Sequence, residues 1–254
     1  MTSANSSNPL PVAQQRALLA FLGYGNPTAE TVFLGMGEGF VKAPPLEEQL
    51  AIRATFAAPL VDLAVAAAVH PEKYVSAARP PLHPTWNVMI RVLLALEGKR
   101  DVLGEDMSLF QRDRLGRTHE SSALLELLPL PSANIATWCY AEYFPQFPTR
   151  DRYVAALLEA RIRDVQRHLA YGPRLVIAYG EPFWDAYRRV FPSVRAWSER
   201  APFQFADVGE MRIILTPRMT SRAMNASRGE LIRLACESKS RARAIASPSL
   251  ADSA

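Results

Sequence analysis

The sequence predicts an α/β fold, a central, mainly parallel sheet with helices on both faces. Three observations carry this. Strand-like and helical stretches alternate along the chain. Several strand candidates, "TVFL" at 31–34, "ALLELL" at 123–128, "LVIAY" at 175–179 and "MRIIL" at 211–215, are short and largely apolar, as in strands covered on both sides. The 254 residues, 49% of them hydrophobic, can bury one sizeable core.

Each element has its own warrant. Residues 11–22 carry Ala13, Ala17, Leu18 and Phe21 at helical spacing and stop at Gly23. "GYGNP" reads as a turn. Residues 46–69 are apolar at helical spacing and break at Pro59 into two helices. "HPEKYVSAARPPLHP" is a proline-rich loop before a helix at 85–96, which Thr85 can cap. A short helix is expected at 107–115. The strand at 123–128 leads into a loop, "PLPSAN". A long amphipathic helix at 150–170 precedes strand 175–179, and "GEPFWDAYRRVF" forms the next helix. After strand 211–215, a last helix spans 225–240, with Asn225 as its cap. No internal repeat or second core-sized segment is visible. Residues 12–237 therefore read as one domain, 1–11 as a disordered lead-in and 238–254 as a basic, frayed tail.

Composition excludes some classes. No apolar run is long enough to span a membrane, and the polar start "MTSANSSNPLP" lacks the apolar stretch of a signal peptide. Two cysteines, Cys139 and Cys236, are too few for a disulfide framework or a four-thiolate cluster, which points to a cytoplasmic, reduced setting. The four histidines are scattered without metal-ligand spacing, so no metal or other cofactor is expected. The net charge is +4, yet residues 211–245 hold eight basic residues against two acids. Such a patch suits a polyanion, nucleic acid first, although an arginine-rich solvated helix has the same composition. A monomer is expected.

In parallel sheets ligands bind beyond the carboxyl ends of the strands. The segments to inspect are therefore "GMGEGF", "PLPSAN", "YGEPFW" and "TPRMTSRAMN". In the first, Gly35, Gly37 and Gly39 surround one acid, Glu38, and would let a ligand approach the backbone. It is not a dinucleotide loop, since Phe40 stands where a third glycine is needed, and no Gly-Lys-Ser/Thr marks a phosphate loop. In the second, Pro129 and Pro131 stiffen a frame presenting Ser132 and Asn134. In the last, Arg218, Ser221 and Arg222 precede a helix start suited to phosphate.

The ordered set "VFLGMGEGF", "LLPLPS", "LVIAYGEPFW" and "ILTPRMTS" resembles the uracil-DNA glycosylase superfamily, over roughly residues 25–235. Members carry a glycine-bearing first motif that activates water and contacts the base. Their last motif contacts the base and the DNA backbone. This chain departs from both patterns. Met36 and Gly37 occupy the positions of the usual polar catalytic side chain, Glu38 stands where proline is common, and Arg218 and Met219 replace His-Pro. The resemblance implies a monofunctional DNA glycosylase. Glu38 would act at the sugar and Arg218 at the departing base. Met36, Gly37, Gly39, Phe40, Ser132 and Asn134 would hold the base, and Ser221, Arg222 and Arg228 the DNA phosphates. Phe40, Trp86 or Tyr143 could stack on the base, and Lys42 is the one lysine near the first motif that could add lyase chemistry. The family extends to enzymes acting on modified cytosines of phage DNA, which implies a bulky pyrimidine target and a role in anti-phage defence. Uracil or mismatch repair, a non-catalytic nucleic-acid binder, and an enzyme acting on free nucleotides remain as alternatives.

Overall fold

The computed structural model describes residues 9–39, 44–56, 58–68, 80–99, 104–132, 134 and 136–246. Its described elements form one α/β unit around a single mixed sheet of eight strands, ordered β3-β1-β4-β2-β5-β8-β7-β6. The strands are β1 (Gly23–Gly25), β2 (Thr31–Gly39), β3 (Leu60–Val61), β4 (Ser122–Ser132), β5 (Leu175–Tyr179), β6 (Ser198–Arg200), β7 (Phe203–Val208) and β8 (Met211–Thr216). The centre, β4-β2-β5-β8, is parallel, as the apolar runs predict. β1 against β4, and the β8-β7-β6 flank, are antiparallel.

Helices cover both faces. Phe33, Leu124, Ile177 and Ile214 pack beneath α3 (Pro84–Leu96) and α7 (Arg222–Ala246), through Met89, Ile90 and Leu93 of α3 and Leu231 and Leu234 of α7. Val32, Leu34, Val176 and Ile213 pack on the other face against Ile162, Val165 and Leu169 of α5 (Arg150–Leu169) and Tyr187 of α6 (Trp184–Val190). This alternation of neighbours along each strand follows from the two-residue period of a strand. A third cluster, including Leu50, Leu128, Leu130, Tyr140, Phe144 and Tyr153, sits at the carboxyl ends of β2 and β4. It joins those strand ends to α1 (Val12–Ala20), α2 (Leu46–Arg53) and α5. The remaining described helix is α4 (Gly104–Asp113).

Several boundaries differ from the sequence reading. "GMGEG" is not a loop but the second half of β2, paired to β4 through Gly35↔Glu126, Gly37↔Leu128 and Gly39↔Ser132, with an irregularity between the last two pairs. β4 likewise continues through Pro129 and Pro131 to Ser132. Prolines are tolerated there because the β2–β4 ladder turns irregular after the Gly37↔Leu128 pair, so the missing N–H groups interrupt no regular pairing. The backbone groups beside the prolines are satisfied by two tyrosines: Leu130 N–H donates to Tyr153 Oη (2.9 Å) and Tyr140 Oη–H donates to the Pro131 carbonyl (2.7 Å). "GYGNP" holds β1 rather than only a turn. A Cβ on Gly25 would lie 2.4 Å from the Ser122 carbonyl oxygen, so only glycine permits this close pairing.

Helix starts moved too. Residues 46–69 give α2, the short β3 and a 3-10 turn (Leu63–Ala68) in place of two helices. α3 begins with Pro84 at its first turn, so Thr85 lies inside it. α7 begins at Arg222, with Ser221 Oγ accepting from Met224 N–H (3.1 Å) as the cap in place of Asn225. It runs to Ala246, so 238–246, expected as a frayed tail, are helical, and Lys239 Nζ donates to the Leu96 carbonyl (2.6 Å). No helix of the described residues is long and apolar enough to cross a membrane.

Candidate functional site

From β2 the chain's next parallel neighbour is β4 on one side. From β5 it is β8 on the other. Such a reversal opens a crevice beyond the carboxyl ends of the strands. A cleft of about 160 Å³ lies at these ends, lined by Met36 and Gly37 of β2, Leu128, Leu130 and Ser132 of β4, Asn134, Trp138, Arg150 and Tyr153, with Phe183 from the turn after β5. Four of the expected base-binding residues, Met36, Gly37, Ser132 and Asn134, thus share one cavity. Gly39 pairs with Ser132 at the end of β2, and Phe40 and Lys42 lie outside the described residues.

Of the aromatics expected from sequence, the two among the described residues, Trp86 and Tyr143, do not line the cleft. Trp86 packs against His83, 4.7 Å between ring centroids, beneath the opposite core. Tyr143 is half-buried in the strand-end cluster, its hydroxyl 3.3 Å from Glu47. The walls are instead Trp138, Tyr153 and Phe183. Trp138 is fixed by its indole N–H to the Phe147 carbonyl (2.7 Å) and by its ring 4.8 Å from that of Tyr153. Asn134 has one polar group already committed, because its Oδ1 accepts from Ala136 N–H, Thr137 N–H and Thr137 Oγ1. Ser132 Oγ donates to the Asn134 carbonyl (2.6 Å). These bonds set the loop's shape and leave the Asn134 amide group to meet a ligand.

Glu38 stands one residue beyond Gly37 and is anchored. Arg53 Nη2 lies 2.6 Å from its Oε2, an ion pair with the guanidinium 3% and the carboxylate 16% exposed. The Tyr24 hydroxyl lies 3.2 Å from Oε2 and 3.4 Å from Oε1. Arg53 also stacks on Phe21, 5.6 Å from the ring centroid. Burial and the Glu38 charge push the Tyr24 phenol upward, so it stays a hydrogen-bond donor.

Glu38 and Arg218 were expected to share one cleft; neither lines the strand-end cleft. Arg218 is exposed beyond β8, two strands from β2, or about 10 Å between strand axes. Glu38 engages Tyr24 of β1, on the other side of β2, and its cation is Arg53. The arginine that lines the cleft is Arg150, at the first turn of α5, where Thr149 Oγ1 accepts from Arg152 N–H. Ser221, Arg222 and Arg228 follow β8 at the start of α7. Ser221 Oγ serves the helix as its cap, Arg222 is exposed, and Arg228 lies further along, facing α3.

Sequence reasoning missed Glu126. It lies in β4 beside Gly35, 8% exposed, with Tyr179 Oη–H donating to its Oε1 (3.3 Å) and its Oε2 buried without a hydrogen-bond partner among the described residues. Gly35 makes room for this pair: a Cβ there would sit 2.4 Å from both Glu126 Oε2 and the Tyr179 hydroxyl. Burial, and then the charge of Glu38, push the Glu126 carboxyl up to about 8, so it is a neutral acid at pH 7. A single acid inside an otherwise apolar strand was the available signal, because burying a carboxyl group is costly without a reason. A search against models of known protein families and against curated proteins finds no match.

Proposed function

We propose that this chain is a DNA N-glycosylase that hydrolyses the bond between C1′ and a pyrimidine extruded from the strand, leaving an abasic site. The observation that carries this reading is the strand-end cleft, sized for one ring and walled by aromatic side chains, with the anchored Glu38 carboxylate outside its lining but one residue beyond Gly37, which lines it. A cavity of about 150 Å³ accepts a single six-membered ring, which fits a pyrimidine and excludes a buried bulky substituent. Any substituent on the base must then project through the mouth.

In this reading the base enters the space between the packed Trp138–Tyr153 pair and Phe183, and backbone and amide groups at Gly37 and Asn134 meet its polar edge. As the C1′–N bond breaks, positive charge grows on the sugar and negative charge on the base. Glu38 faces the sugar and orients the water that adds to C1′. Arg150, in place of Arg218, stabilises the departing base. Arg53 and Tyr24 hold Glu38 in one rotamer, which supplies positioning rather than new charge. Arg218 and Arg222, both exposed, meet phosphates of the flanking strand.

A substrate panel tests this. DNAs carrying uracil, mismatched thymine, hydroxymethylcytosine or glucosylated hydroxymethylcytosine are incubated with the protein and treated with alkali. Strand scission is expected at one or more of the modified positions and absent from unmodified DNA. Scission confined to the substituted cytosines would assign the activity to defence against phage with modified genomes. Scission at uracil or mismatched thymine would assign it to repair. Salt-sensitive DNA binding without any scission would overturn the enzymatic reading and leave a nucleic-acid binder.

A further inference from the structure

A second cleft, of about 550 Å³, lies between α3 and α7, away from the strand-end site. Arg91 and Ala95 of α3, Lys99 just after it, and Arg228, Gly229 and Ile232 of α7 line it, and no carboxylate does among the described residues. Lys99 is partly neutralised by Glu97 at 3.4 Å, but among the described residues neither Arg91 nor Arg228 enters an ion pair. Arg91 is held by its Nε–H donating to Asn87 Oδ1 (2.9 Å), which leaves the outer nitrogens of its guanidinium to a ligand.

Two features would be costly without an anion. Like charges confined to one cleft repel, and burial together with the Arg228 charge lowers the proton affinity of Arg91 below that of an ordinary arginine. Gly229 lies in the interior of α7, where glycine costs about 1 kcal/mol relative to alanine, yet no described residue lies within 4 Å of where its Cβ would be. Packing does not require that glycine; its effect is to keep the cleft open and let a ligand approach the helix. An apolar strip, Ala95 and Ile232, adjoins the cations. Clefts of this volume hold ligands of nucleotide size.

We propose that the α3–α7 cleft binds a phosphate group between Arg91 and Arg228, as part of a nucleic-acid strand or of a free nucleotide. The site does not rest on the glycosylase reading, since it shares no residue with the strand-end cleft.

Binding is measured on the full chain by fluorescence anisotropy for labelled single- and double-stranded DNA, and by calorimetry for ADP and inorganic pyrophosphate. Two variants are compared with wild type: the double variant Arg91→Gln/Arg228→Gln, and Gly229→Leu, which fills the open space while raising helix propensity. Both are expected to weaken binding at least 5-fold. If the phosphate belongs to DNA, the double variant also flattens the dependence of log Kd on log salt by about one to two phosphate contacts, and ADP does not compete. If it belongs to a nucleotide, the loss falls on ADP and pyrophosphate while DNA binding is unchanged. Equal binding of all probes by wild type and both variants, or no binding of any probe by the wild type at millimolar concentration, would overturn the site. Glycosylase assays on the same variants report separately on the strand-end cleft.

Discussion

Glu38, at the carboxyl end of β2, and Glu126, midway along the neighbouring β4, stand in opposite circumstances. Glu38 is ion-paired with Arg53 and reaches solvent; Glu126 is buried, enters no ion pair among the described residues and holds its proton. Substituting Arg53 with methionine removes the guanidinium 2.6 Å from the largely buried Glu38 carboxylate. It is expected to destabilise the fold by about 3–5 kcal/mol, read by urea denaturation, and to reduce glycosidic cleavage more than DNA binding. The Glu126 carboxyl is raised to about 8 from an ordinary 4.5. Its stabilising contribution is therefore fully present below pH 4.5 and is lost as pH rises to 8, because the unfolded chain ionises first. Replacing Glu126 with glutamine should remove this slope. The stability of the variant relative to wild type should rise across that window, by an amount on the order of a few kcal/mol, measured by denaturation at a series of pH values. Glu38 is legible in the sequence because glycines isolate it. Arg53 is not, because in "LEEQLAIRATF" it reads as one more polar position on a helix.

At the scale of elements, β2 and β4 carry the site, and both run further than propensity suggests. Glycine and proline mark turns in isolated peptides, so "GMGEG" and "PLPS" read as loops. In the fold, pairing between the two strands and tyrosines from outside them override that tendency. Tyr153→Phe tests this brace. It leaves the buried Leu130 N–H without its acceptor and should cost about 1–3 kcal/mol by thermal or chemical denaturation, while weakening ligand binding in the cleft that Leu130 and Tyr153 line. The same logic explains the unforeseen β1 and β3, which are too short to show a pattern of their own and exist only through their neighbours. β7 carries a weak alternation in "FQFADV" and is fixed by antiparallel pairing with β8.

Across the whole molecule, the parallel centre was legible because apolar strands alternating with helices admit few other arrangements. That arrangement brings segments more than 100 residues apart to one rim. Met36, Ser132, Arg150 and Phe183 meet there because β2, β4 and β5 run the same way. Strand order is not written in local sequence. Hence Arg218 and Glu38 were expected to line one cleft, although β5 separates their strands and the cleft is lined by neither, its arginine being Arg150 from α5. The central claim is that Glu38 acts on a sugar whose base occupies that cleft. Single-turnover cleavage by wild type and Glu38→Gln, on whichever panel DNA yields abasic sites, tests it most directly. The variant should bind this DNA within about 3-fold of wild type and cleave it about 100-fold more slowly or worse, as expected when an electrostatic group aimed at the transition state is removed. Cleavage by Glu38→Gln at the wild-type rate, or a wild type that leaves every DNA of the panel intact, would contradict it.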